Sequence, residues 1–175
     1  MLAPAPIGAR SMTDSPAPRP AAAAASVIPL DAVDPALVEA LLDRAFGPDR
    51  HGRTAYRVRA GTHWLPALSF AALDSADLLV GTIQTWPVAL TDPAGRRVPV
   101  LMVGPVAVLP ERQGEGFGHA LMAAMTSALD PSAPLPQVLI GDPEYYGRFG
   151  FAAAPAAGWQ VPGPYEQRRL LVRAA

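Results

Sequence analysis

Apolar positions in this chain fall into blocks, and the period of each block predicts its element. "SVIPL" (26–30) is a short apolar run suited to a strand. In "DPALVEALLDRAFG" (34–47), Leu37, Leu41, Leu42 and Ala45 stand at helical spacing. Asp34 is the expected N-cap, Pro35 the first helical residue and Gly47 the stop. "PDRHGRTAYRVRAGTHW" (48–64) is polar and Arg-rich, and predicts a second short helix ending before Gly61. Three strand candidates follow: 66–73, 77–90 and 97–110. "TDPAGR" between the last two has hairpin turn chemistry, so these strands are expected to pair antiparallel. "GHALMAAMTSALD" (118–130) returns to helical spacing, with Leu121, Met122, Met125 and Leu129 on one face. "QVLIG" (137–141) reads as a buried strand and "DPEYYGRFG" (142–150) as a short helix capped by Asp142. "FAAAP" and "YEQRRLLVRA" read as two closing strands. The sum is an α/β chain whose central sheet is mixed, mostly antiparallel and flanked by helices.

Composition narrows the chemistry. The 175 residues suffice for one full core. Residues 1–25 are almost entirely Ala, Pro and small polar types, which predicts an extended tail without a core; the single domain is expected over 26–175. Net charge is −1, so no general attraction to nucleic acid or anionic membrane is expected. No apolar run approaches the roughly 20 residues of a membrane span, and the expected compartment is the cytoplasm. There is no Cys and, among the 14 basic residues, no Lys. Disulfides, thiolate metal sites, cysteine nucleophiles, a Schiff-base lysine and a Walker lysine are therefore excluded.

"PERQGEGFGHALM" (110–122) sets Gly114, Gly116 and Gly118 at alternate positions before the predicted helix. A helix N-terminus offers unpaired amides and a positive dipole end, and bare glycines let an anion approach them. Arg112 can add a charge-assisted contact. The spacing fits neither the dinucleotide fingerprint nor the P-loop, so the pattern alone leaves a phosphate site and a structural turn both open.

The stretch "VAVLPERQGEGFGHALM" resembles the central motif of the GNAT superfamily of acyl-CoA N-acyltransferases, [QR]-x-x-G-x-[GA], filled here by Gln113, Gly116 and Gly118. "YYGRFGF" (145–151) resembles that family's aromatic-Tyr-x-[KR]-x-Gly-Phe signature. The predicted element order is also similar, from about Val27 to Val172. The resemblance implies an acetyl-CoA-dependent N-acetyltransferase that passes the acyl group directly to an amine, small molecule or protein, with no metal. It implies a strand bulge near Gly104 and Pro105 that splays this strand from 137–141 into a wedge for acyl-CoA. In that scheme the main chain of Val106, Ala107 and Val108 meets the pantetheine arm and polarises the thioester. The segment Arg112, Gln113, Gly114, Glu115, Gly116, Phe117 and Gly118 receives the pyrophosphate, and Tyr146 protonates the leaving sulfur. Homodimers through the C-terminal strands are common in similar proteins. A catalytically silent CoA-binding module on the same fold is the competing reading.

A phenol stays protonated at neutral pH, which suits the acid role of Tyr146; Tyr145 reads as packing and Arg148 as either a phosphate contact or a surface residue. With no cysteine and no G-x-S-x-G elbow, no covalent acyl-enzyme is expected. No residue is assigned as general base: Glu111 and Glu115 lie in the loop, and His51 and His63 read as surface residues. The acceptor is expected near Arg53, Tyr56, Gln84 and Trp86. Arg50, Arg53, Arg57 and Arg59 stand against a single nearby acid, Asp49. That balance disfavours a polycationic acceptor and favours one carrying a carboxylate or phosphate, although a solvated basic helix face fits the same residues.

Overall fold

The computed structural model describes residues 26–174; the expected tail, 1–25, lies outside the described residues. Six strands, β1 (Ser26–Pro29), β2 (Phe70–Leu73), β3 (Leu79–Thr91), β4 (Arg97–Val108), β5 (Gln137–Ile140) and β6 (Leu170–Arg173), form one sheet in sequential order. Every neighbouring pair is antiparallel except β4–β5, which is parallel. Four α-helices join them: α1 (Pro35–Phe46), α2 (Thr54–Val58), α3 (Phe117–Ser127) and α4 (Pro143–Tyr146). None of the described helices is long and apolar enough to cross a membrane.

Local chemistry sets most boundaries. Asp34 caps α1 by accepting the Ala36 N–H at 2.9 Å, and Asp142 caps α4 by accepting the Glu144 N–H at 3.2 Å. At the β3–β4 turn, Asp92 accepts the N–H groups of Ala94 and Arg96, both at 2.9 Å. Pro66 opens a 3-10 turn over Pro66–Leu68, so the strand expected from 66 begins only at Phe70.

Two layers cover the sheet. α3 buries Phe117, Leu121, Met122 and Met125 against Val80, Ile83, Val103, Leu139, Phe151 and Leu171. α1 buries Val38, Leu41 and Leu42 against Leu30, Ala71 and Ala107. The face expected to include Leu37 is rotated by one residue: Leu37 is 56% exposed and Val38 takes its place. Both residues fit an amphipathic helix, and only docking on the sheet selects between them.

The C-terminal end departs further from expectation. "FAAAP" forms no strand; it makes one bridge, Ala152 to Val172, and then a 3-10 turn over Ala154–Ala156. Pro155 has no N–H for a ladder, and the small alanines add little to pack on a pleated face.

Candidate active site

A bulge in β4 opens the site. Ile83 faces Val106 and Thr85 faces Val103, so two residues, Gly104 and Pro105, stand opposite Gln84. Before the bulge the Leu101 N–H donates to Pro136 O beside β5, at 2.9 Å; after it the Leu109 N–H donates to Val80 O on β3, at 2.9 Å. The extra residue has inverted which amides face which neighbour. By the twofold alternation of a strand, Val106 and Val108 then turn their main-chain groups toward the β5 side. Nothing there receives them as a ladder, because β4 and β5 pair only through Leu101–Gln137 and Met102–Val138. Ala107 is buried and packs with the α1 layer.

The wedge is part of a cleft of about 1340 Å³. This exceeds the upper end, about 1000 Å³, of ordinary small-molecule pockets and leaves room for two ligands. The Gly104–Val108 part of β4 forms one wall, the loop before α3 an end, and α2 with Pro164–Glu166 the far side.

The three loop glycines answer different demands. Gly114 (φ 84°) and Gly116 (φ 93°, N-cap of α3) hold left-handed backbone that side chains disfavour. Gly118 is needed for space: a β-carbon there would lie 2.6 Å from the Tyr145 hydroxyl. Arg112 shapes the loop from within. Its guanidinium donates to Glu115 at 2.9 Å and to Asp74 Oδ2 at 2.7 Å, and lies 5.2 Å from the centre of the Phe117 ring. Asp74, in the β2–β3 loop and 8% exposed, also accepts the N–H groups of Ala76 and Leu78. The Arg112 bond, then those of Leu78 and Ala76, hold its carboxyl below the usual range. Asp74 was not foreseen from the sequence, since 38 residues separate it from Arg112.

Across the cleft, α4 presents two tyrosines. The Tyr146 ring stands edge-on to Tyr145 at 4.9 Å and packs against the core that holds Phe151. Its hydroxyl makes no hydrogen bond among the described residues. Burial pushes its pKa well above the ordinary phenol value. Tyr145 is shifted upward by burial as well. Arg148 is exposed and lies 4.9 Å from the Tyr145 ring centre.

Of the residues expected at the acceptor end, Arg53 and Tyr56 line the cleft, while Gln84 and Trp86 do not. The solvated basic face holds for Arg53 and Arg57, which are exposed, and fails for Arg50 and Arg59, which are 2% and 5% exposed. Asp49, the one acid near these arginines in sequence, is not the partner of Arg50; its partners are Glu39 and Asp43 of α1, with the Tyr56 hydroxyl. The Thr54 hydroxyl donates to Pro164 O, which ties α2 to the loop before β6.

The candidate bases are accounted for as follows. Glu111 pairs with Arg44 and Glu115 with Arg112. His51 and His63 are exposed and lie outside the cleft lining. The lining carboxylates are also engaged, Asp142 as the α4 cap and Glu166 with Arg168 at 3.0 Å. Among the described residues, no group of three or more His, Asp or Glu side chains is arranged to hold a metal.

Comparison with known proteins agrees with this geometry. The sequence model of the Acetyltransferase (GNAT) domain matches residues 34–154. The N-acetyltransferase YhbS of Escherichia coli is 28% identical over 127 residues, covering 73% of this chain and 71% of its own. The crystal structure of YhbS in complex with CoA superposes with a TM-score of 0.62 at 25% identity, over 86% of this chain and 79% of that one. A GNAT acetyltransferase of Brucella melitensis in complex with acetyl-CoA gives 0.55 at 25% identity, over 87% and 97%.

Proposed function

The chain belongs to the GNAT acetyltransferase family, and on that premise we propose that it transfers acetyl from acetyl-CoA directly to an amine bound in the same cleft. The observation that carries this reading is the pair of strand positions without a β5 partner, Val106 and Val108, running from the bulge toward the glycine loop in a cleft that Tyr146 also lines. That line offers main-chain partners for an extended arm, amides for a pyrophosphate at 113–118, and a phenol near the sulfur. CoA or acetyl-CoA in the two related structures supports the same cofactor here.

In this reaction a bond forms between the amine nitrogen and the thioester carbon, the carbon–sulfur bond breaks, the nitrogen loses a proton and the sulfur gains one. A β4 amide at Val106 or Val108 donates to the thioester oxygen as it becomes an oxyanion. Tyr146 donates to the sulfur as thiolate character develops, and its raised pKa keeps the proton available through neutral pH. Arg112 acts as a positioning residue: its two ion pairs fix the loop, while the loop's amides do the binding. The lining carboxylates are already partnered, and the lining histidine, His119, stands in the first turn of α3 beside the phosphate loop, so the amine reacts as its own free base, with water taking the proton. Thiol release from acetyl-CoA over an amine panel tests the reading. Turnover lost in Tyr146→Phe supports it, whereas acetyl-CoA binding without turnover on any amine would leave the silent CoA-binding module.

A further inference from the structure

Three arginines are buried or half-buried along the cleft, and two have carboxylate partners. Arg50 has Glu39 and Asp43; Arg112 has Asp74 and Glu115. Arg59 is 5% exposed and forms no ion pair among the described residues. Its Nη1 donates to the Gly104 carbonyl at 3.1 Å. Its Cζ lies 3.8 Å from the centre of the Tyr56 ring and 4.5 Å from that of Trp86. Two aromatic rings this near give the guanidinium cation–π contacts but no counter-charge, and most of its five donors have no carboxylate or carbonyl partner. Tyr56 is itself held by the Arg50–Tyr56 hydrogen bond. A buried cation without a counter-charge is costly, and here it lines the cleft.

The position of Arg59 decides which ligand supplies the anion. Gly104 lies two residues before Val106, at the start of the bulge. The phosphate loop lies in the opposite direction, beyond Val108. An acyl-CoA laid along β4 with its pyrophosphate at 113–118 brings its thioester toward Arg59 and keeps its phosphates away. The acceptor therefore provides the charge. A planar carboxylate fits the N–H edge of a guanidinium as a bidentate pair.

We propose that Arg59 is the acceptor anchor, and that the acceptor is an amine carrying a carboxylate a few bonds from its nitrogen, as in a free amino acid. This rests on the acetyltransferase reading. The hydrogen bond of Arg59 to Gly104, two residues before Val106, sets the short separation of amine and carboxylate, and the Tyr56 and Trp86 rings make Arg59 hard to replace by a flexible lysine.

The test uses the full chain, acetyl-CoA, and a panel of amino acids with their matching carboxamides, decarboxylated amines and O-phosphorylated amino alcohols. Rates are expressed per concentration of unprotonated amine. The expected result is a kcat/KM at least about tenfold higher for the acids than for the carboxamides. In Arg59→Gln the ratio falls to within about twofold, in Arg59→Lys it is retained only in part, and the KM for acetyl-CoA stays unchanged in both. The preference of the native protein for acids is diagnostic even if a variant fails to fold. Carboxamides or phosphorylated amines used as well as the acids, or a preference that survives Arg59→Gln, overturns the proposal while the acetyltransferase reading stands. Absence of thiol release with every amine of the panel overturns the acetyltransferase reading and the proposal with it.

Discussion

The Tyr145 hydroxyl rests against the bare Cα of Gly118, 2.6 Å from where a β-carbon would sit, and so locks α4 to the first turn of α3. The next nearest ring atom, Cζ, is at 3.7 Å, an ordinary contact. The conflict in Gly118→Ala is thus with one oxygen. Gly118→Ala is expected to destabilise by about 1–3 kcal/mol and raise the KM for acetyl-CoA. Adding Tyr145→Phe restores most of both, in a double-mutant cycle read by thermal melts and thiol release.

Gly114→Ala behaves differently. Open space surrounds that position, and its φ of 84° carries the penalty. A loss of about 1–2 kcal/mol is expected, and Tyr145→Phe does not recover it. Rescue by Tyr145→Phe would place the strain elsewhere.

Tyr146→Phe is expected to lower kcat by about 10²- to 10⁴-fold, with the KM for acetyl-CoA little changed. Burial raises the pKa of this phenol, so the protonated donor persists beyond the ordinary value. The native pH–rate profile should show no alkaline limb from Tyr146 below about pH 10. An alkaline limb centred lower that vanishes in Tyr146→Phe would contradict this.

With no free carboxylate at the cleft, the acidic limb of kcat/KM is expected to track the acceptor. Acceptors of different ammonium pKa should shift that limb by the same interval. A limb fixed across acceptors would point to a protein base.

The Asp74–Arg112 pair ties the β2–β3 loop to the phosphate loop. The carboxyl of Asp74 is depressed in the folded state. Its stabilisation is therefore complete above the unfolded value of about 3.9 and is lost as pH falls through the lower folded value. Asp74→Asn should raise the Kd for acetyl-CoA at pH 7 by calorimetry and flatten the dependence of Tm on pH below about 4.

Some of this protein is local and was determined by the sequence itself. Asp34 and Asp142 cap helices by reaching amides two residues away. Asp92 makes its turn the same way, and the bulge that the family resemblance implied falls at Gly104 and Pro105, residues unsuited to a regular ladder. The glycine loop and the "YYGRFGF" stretch were readable because their spacing is fixed by one turn of chain each. What only the tertiary structure decided is which side chains lose water and whom they meet. Leu37 and Val38 were equivalent until α1 docked on the sheet. The alanines of 152–154 read as a strand until their one bridge to β6 was found to be all the pairing they make. Arg50, Arg59 and Arg112 look alike in the sequence, yet folding brings two carboxylates to the first and last and none to Arg59. Arg50 meets Asp43 and Glu39 across the turn that follows α1, and Arg112 meets Asp74 from 38 residues away, so the arginine left without an anion could be identified only once the chain had closed around it.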